Sequence, residues 1–215
     1  IALRPHQAER FSEFITCYQL PDKPIIALLA GSRSQELKHV LPKMLCMTRH
    51  FPDYQFIIAG APSMTEEDYE PYLKGMNVPV IYGQTYRLLK QSRAALVTSG
   101  TATLETAILK TPQVVCYSGE GGAFSYLLFK LFVKVRYISL VNLIMGQEVV
   151  KELLMQQLNK KNIKKELQQI LPEGPVRQKM LKNYEELNRR LGEPGASERF
   201  ARQIVKDLRF ILGKK

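Results

Sequence analysis

The sequence predicts an α/β fold: a parallel sheet with flanking helices, followed by extra helices toward the C-terminal end. Three observations lead to that expectation. Short β-branched runs alternate with helical patterns, as crossover connections between parallel strands require. Each run is almost continuously apolar, the mark of a strand covered on both faces. Two of the runs lead directly into glycine-containing turns that open a helix.

The expected strands are 24–30, 55–59, 78–82, 94–98 and 113–117, with helical patterns at about 35–50, 66–75, 84–92, 102–110 and 123–134 between and after them. Parallel pairing of successive strands needs such crossovers, and their hand is right-handed. Residues 151–170 and 177–191 read as charged amphipathic helices separated by Leu-Pro-Glu-Gly-Pro, and 196–212 as a last helical pattern beyond Gly192-Glu-Pro-Gly195. We therefore expect one nucleotide-binding domain over 1–192 and a separate C-terminal helix over 193–215. In open sheets of this kind ligands bind beyond the carboxyl ends of the strands, so the loops after Ala30, Ala59, Tyr82, Thr98 and Tyr117 are the places to search.

The 215 residues suffice for one such domain with additional helices. Lys and Arg total 31 against 20 acids, a net charge of +11 that favours anionic partners such as phosphorylated substrates or an acidic membrane surface. Nucleic acid is not expected, because no helix-turn-helix or RNA-binding signature accompanies the charge. No uncharged apolar run of about 18 residues is present, so no membrane span is expected. Cys17, Cys46 and Cys116 are odd in number and far apart, which points to reduced thiols in a cytoplasmic setting rather than a disulfide framework or zinc site. His6, His39 and His50 show no metal spacing, and no cofactor is called for. The chain opens on Ile1 without a signal pattern and reads as a segment of something longer.

Four motifs carry chemistry. In Leu28-Leu-Ala-Gly-Ser-Arg-Ser-Gln-Glu36 a strand meets a tight turn and a helix start. Gly31 lets backbone approach a ligand, Ser32 adds a hydroxyl, and Arg33 can pair with a phosphate. A local alternative is a capping box formed by Ser32 and Gln35. In Val97-Thr-Ser-Gly-Thr-Ala-Thr-Leu-Glu-Thr106, the small residues Ser99, Gly100, Thr101 and Thr103 at a helix N-terminus suit a diphosphate. Glu105, one turn inside, suits the two hydroxyls of a ribose, or simply the helix dipole.

The third motif is Ser139-Leu-Val-Asn-Leu-Ile-Met-Gly-Gln-Glu-Val-Val-Lys-Glu152. Here Asn142, following a short strand, is a ligand contact or a turn former. Glu148 and Glu152, four apart, share one face of a helix, where they hold sugar hydroxyls or are merely solvated. The fourth is the dense apolar stretch 123–136, whose Lys130, Lys134 and Arg136 suit anionic lipid headgroups or a partner domain. The loop 119–122 before it reads as a flexible connection.

As an ordered set, Leu-x-Gly-Ser-Arg-x-x-Glu (29–36), Gly-Gln-Thr (83–85), Ser-Gly-Thr-Ala-Thr-Leu-Glu (99–105) and Asn-Leu-Ile-x-Gly (142–146), with Glu-Val-Val-Lys-Glu-Leu-Leu (148–154) after it, resemble the lipid-A-disaccharide synthases. The resemblance covers about residues 20–212. It implies the Rossmann-like donor lobe of a two-lobed GT-B glycosyltransferase, with the last helix crossing to the other lobe. It also implies inverting transfer of the sugar of UDP-2,3-diacylglucosamine to 2,3-diacylglucosamine 1-phosphate, on the cytoplasmic face of the inner membrane, with UDP released. By resemblance Gly31, Ser32, Arg33, Ser99, Gly100, Thr101 and Thr103 lie beside the diphosphate and Glu105 beside the ribose. Gln84 lies near the uracil, and Asn142, Glu148 and Glu152 near the donor sugar.

The general base is expected on the first lobe, which the motifs do not cover. This sequence has Val141-Asn142 where the family usually has Pro-Asn. Gln147 stands in place of an arginine and offers no charge, and Met155 enlarges the family's Glu-Leu-Leu-Gln. A homodimer is left open. A UDP-sugar epimerase, another GT-B transferase, and a non-enzymatic lipid- or partner-binding module also remain as alternatives.

Overall fold

The computed structural model describes residues 9–98, 100–118 and 136–192. Its centre is a six-stranded parallel sheet formed by β1 (Ile25–Leu29), β2 (Gln55–Gly60), β3 (Val80–Tyr82), β4 (Ser92–Val97), β5 (Gln113–Tyr117) and β6 (Lys151–Leu154), in the order β3-β2-β1-β4-β5-β6. The first five match the expected runs to within about two residues at either end. Five residues in a row are buried along β1, and they divide by the alternation of a strand. Ile26 and Leu28 enter one layer with Leu37, Val40, Leu41 and Met44 of α2 (Ser34–Leu45). Ile25, Ala27 and Leu29 enter the opposite layer with Phe14 of α1 (Phe11–Cys17) and Leu88 and Leu89 of α4 (Thr85–Gln91). Truncating a side chain such as Leu28 would cost about 2–5 kcal/mol, because either layer would be left with a cavity.

Helices α3 (Glu66–Leu73) and α5 (Thr101–Ile108) complete the crossovers. α7 (Lys160–Ile170) and α8 (Pro175–Leu191) close the layer that holds Ile26 and Leu28, through Ile163, Leu167, Met180, Tyr184 and Leu187. Thus the 177–191 helix forms as expected, while the helix expected over 151–170 begins only at Lys160. Its first four residues are instead β6, paired with β5 from Val114↔Lys151 to Tyr117↔Leu154. The short strand expected before Asn142 is replaced by α6 (Leu140–Met145), with Asn142 inside it. α1 has no counterpart among the expected elements. The helical patterns at 123–134 and 196–212, the loop 119–122, and the separate C-terminal helix over 193–215 lie outside the described residues. No helix among the described residues is long and apolar enough to cross a membrane.

Candidate functional site

Neighbouring strands β1 and β4 send the chain away in opposite directions, β1 toward β2 and β3, β4 toward β5 and β6. At such a switch point the loops beyond the strand ends splay apart and leave a crevice. A cavity of about 830 Å³ occupies that position. Its walls come from the loops after β1 (Gly31, Ser32, Arg33), β2 (Gly60, Ala61, Pro62), β4 (Thr98, Gly100, Thr101) and β5 (Tyr117, Ser118), with Glu105 on α5.

The β1–α2 turn depends on Gly31, whose φ of +102° is a conformation side chains rarely tolerate. A Cβ there would also meet Glu36 Oε2 at 2.1 Å. Helix α2 starts at Ser34, with Arg33 as N-cap and no side-chain cap, so the Ser32–Gln35 capping box does not form. The carboxylate of Glu36 instead reaches back and accepts the Ser32 N–H at 2.9 Å. Ser63 donates its hydroxyl to the Ser32 carbonyl at 3.0 Å, tying this turn to the loop after β2. Ser32 and Arg33 are left exposed at the cavity rim, the guanidinium beside a helix N-terminus.

Gly100, the N-cap of α5, has φ +117° and ψ −158°, a region open essentially to glycine alone. No side chain caps this helix. Thr101 is exposed to the cavity, while Thr103 is fully buried and donates its hydroxyl to the Gly100 carbonyl at 2.8 Å. Thr103 therefore shapes the turn and does not face the cavity. Ser99 lies outside the described residues. Glu105 lines the cavity and accepts a 2.9 Å hydrogen bond from the Tyr86 hydroxyl on α4. Gln84 caps the start of α4, and its side-chain oxygen accepts from Arg87 at 3.3 Å, so its side chain is turned into the protein.

The third motif lies elsewhere and is closed on itself. Asn142 is fully buried. Its oxygen accepts from Val149 N at 2.8 Å and Val150 N at 3.0 Å, and its amide donates to Val150 O and Glu152 Oε1, both at 2.8 Å. Glu152 is also buried and accepts from Ile138 N, Ser139 N and the Ser139 hydroxyl at 2.7–2.9 Å. These two residues, expected near the donor sugar, have spent their polar groups on holding α6 against β6. Glu148 and Glu152 do not share a helix face either, because residue 152 is in a strand. Since β6 begins beside Val114, Glu148 precedes it at the amino-terminal edge of the sheet, whereas the cavity opens at the carboxyl edge. There it pairs with Lys151 at 3.3 Å.

Three residues at the cavity had no part in the sequence-based expectations: Tyr86 through Glu105, His39 in the lining, and Thr98 at the end of β4. The Thr98 hydroxyl is buried and takes no hydrogen bond among the described residues. Leaving such a group unmatched costs about 1–3 kcal/mol, which a ligand atom within reach would offset.

The family model described as lipid-A-disaccharide synthetase matches residues 7–206. The chain belongs to the lipid-A-disaccharide synthetase family. It is 34% identical over 187 residues to the lipid-A-disaccharide synthase of Anaeromyxobacter dehalogenans (strain 2CP-C), covering 84% of this chain and 48% of that protein. To that of Syntrophus aciditrophicus (strain SB) it is 36% identical over 187 residues, again 84% and 48%. The chain thus spans about half the length of the curated relatives it matches. Among solved structures it superposes on the calicheamicin glycosyltransferase CalG4 with TM-score 0.59 and 15% identity, covering 89% of this chain and 45% of that one. An S. aureus MnaA–UDP co-structure gives TM-score 0.57 at 15% identity, covering 97% and 49%. The family member described here therefore carries the Rossmann-like fold of a GT-B glycosyltransferase lobe.

Proposed function

We propose that this chain is the donor-nucleotide half of an inverting glycosyltransferase that joins UDP-2,3-diacylglucosamine to 2,3-diacylglucosamine 1-phosphate and releases UDP. What carries the reading is the coincidence of family membership with the switch-point cavity, where Arg33 and the starts of α2 and α5 meet. Amide groups at helix starts together with a guanidinium can hold a diphosphate and stabilise the charge that grows on it as the glycosidic bond breaks. In this reading Gly31, Ser32, Arg33, Gly100 and Thr101 surround the diphosphate, Ser99 joins them from the same turn, and Thr103 braces it. Glu105 accepts from the ribose hydroxyls, and the backbone around Gln84 reads the uracil. Asn142 and Glu152 serve the fold.

The attacking acceptor hydroxyl must lose its proton to a base within hydrogen-bond reach, on the face opposite the departing UDP. We assign that base to the half of the relatives' length that this chain does not span. The acylated substrates call for work at the inner-membrane surface, and the basic stretch holding Lys130, Lys134 and Arg136 is our candidate for contact with anionic headgroups. Calorimetry with UDP, CDP and ADP on the folded chain tests the nucleotide assignment. Saturable binding of UDP in preference to the other two is expected, and no heat from any of them would overturn it.

A further inference from the structure

We infer that Tyr86 is a positioning residue for nucleoside recognition: its hydroxyl sets the Glu105 carboxylate so that the cavity distinguishes a ribose from a deoxyribose. The inference rests on the proposed reading of the cavity as a UDP site. Tyr86 is the second residue of α4 and Glu105 the fifth of α5, helices that follow β3 and β4 and pack side by side. Between them runs one hydrogen bond of 2.9 Å, from the phenol to Glu105 Oε1. Among the described residues the second carboxylate oxygen takes no hydrogen bond, and Glu105 borders the cavity. A carboxylate offers about four lone-pair directions, so one donor to one oxygen orients the group and leaves the other oxygen for a ligand.

Tyr86 is itself a fixed post. The next residue, Arg87, donates to the Glu9 carboxylate through Nε at 3.0 Å and to the Tyr18 hydroxyl and Gln84 Oε1 at 3.3 Å. Its guanidinium also lies over the Phe14 and Tyr18 rings, 5.9 and 5.6 Å from their centroids. The first turn of α4 is thereby held to α1 and to the loop that precedes it. Burial, then the neighbouring carboxylate, pushes the Tyr86 phenol above its ordinary value, which keeps it a donor at neutral and mildly alkaline pH. A glutamate near a cavity wall otherwise samples several rotamers, and a ligand that needs one of them must fix it on binding. The Tyr86 bond removes that requirement before the ribose arrives.

The test uses the folded chain, UDP, 2′-deoxy-UDP and inorganic pyrophosphate, with Tyr86→Phe and Glu105→Gln compared by calorimetry. Tyr86→Phe is expected to weaken UDP about three- to tenfold, the worth of one hydrogen bond, and to leave pyrophosphate within about twofold. The preference for UDP over 2′-deoxy-UDP should shrink by the same factor, and an unchanged melting temperature certifies the fold. Equal weakening of all three ligands would reduce Tyr86 to a structural tie between helices and overturn the inference. If Glu105→Gln abolishes the ribose preference while Tyr86→Phe leaves it intact, the inference alone falls. If Glu105→Gln also leaves it intact, the ribose reading of Glu105 fails and takes Tyr86 with it.

Discussion

The turns after β1 and β4 and the segment from Ser139 to Glu152 are built from the same kinds of residue, yet they end in opposite states. Both are rich in hydroxyls, amides and acids, and both contain a left-handed glycine beside a helix. At the first, Arg33 and Thr101 stay exposed over a cavity, and the helix starts carry no side-chain cap. At the second, Asn142 and Glu152 are buried and their bonds run to Ser139, Val149, Val150 and each other. Polar character in a motif thus says only that hydrogen bonds will be made. Whether they are made to a ligand or within the fold depends on which side of the sheet edge the segment occupies and how deeply it is buried.

The largest expected effect lies in the closed region. Glu152→Ala removes the acceptor for four donors, among them the N–H groups of Ile138 and Ser139, and should cost about 3–5 kcal/mol of stability in urea unfolding. UDP affinity, measured where the variant is still folded, should move less than twofold. Lost affinity with stability intact would turn this region back into a ligand site.

Arg33→Ala should behave in the reverse manner. Replacing an exposed guanidinium at the rim is expected to weaken both UDP and pyrophosphate by about 1.5–3 kcal/mol, the range for a hydrogen bond to a charged group, while stability stays within about 0.5 kcal/mol. Stability lost without affinity would erase the contrast between the two regions.

The smallest effect is expected at Glu148. Its ion pair with Lys151 spans 3.3 Å between side chains about half exposed, at 54% and 41%, a setting worth about 0–1 kcal/mol. Glu148→Gln should therefore change neither the unfolding midpoint nor the binding of UDP or of UDP-N-acetylglucosamine. A selective loss for the sugar nucleotide would show that Glu148 reaches the donor sugar after all.

These contrasts also mark what could be read from the sequence. Strands β1, β2, β4 and β5 are buried on both faces and spell continuous apolar runs, so their positions were legible. β6 was not. It is a four-residue edge strand whose neighbours Val149, Val150, Leu153 and Leu154 fit a helical period as well as a strand, with Lys151 and Glu152 between them. That misreading placed Glu148 and Glu152 on one helix face. α1, only seven residues long, owes its place to Phe14 packing under the sheet and to the bonds between Glu9 and Arg87, contacts that no local pattern announces.

In the site, Gly31, Arg33 and Gly100 were legible because a strand, a glycine and a helix start follow one another within a few residues. The expected capping box failed because α2 begins two residues beyond Ser32, and Glu36 took over the Ser32 amide. The pairing of Tyr86 with Glu105 spans nineteen residues and arises only when two helices pack, so spacing could not reveal it.

The central claim is that a nucleoside diphosphate binds at the carboxyl edge of the sheet, between the turns after β1 and β4, and leaves the Ser139–Glu152 network untouched. Titrating UDP into the isotopically labelled chain and following backbone amide shifts measures this residue by residue. The account predicts saturable shifts at Ser32, Arg33, Gly83, Thr101 and Ala102, with Asn142, Val149 and Val150 unmoved. Shifts centred on Asn142, Val149 and Val150, or none anywhere in a folded sample at millimolar UDP, would contradict it.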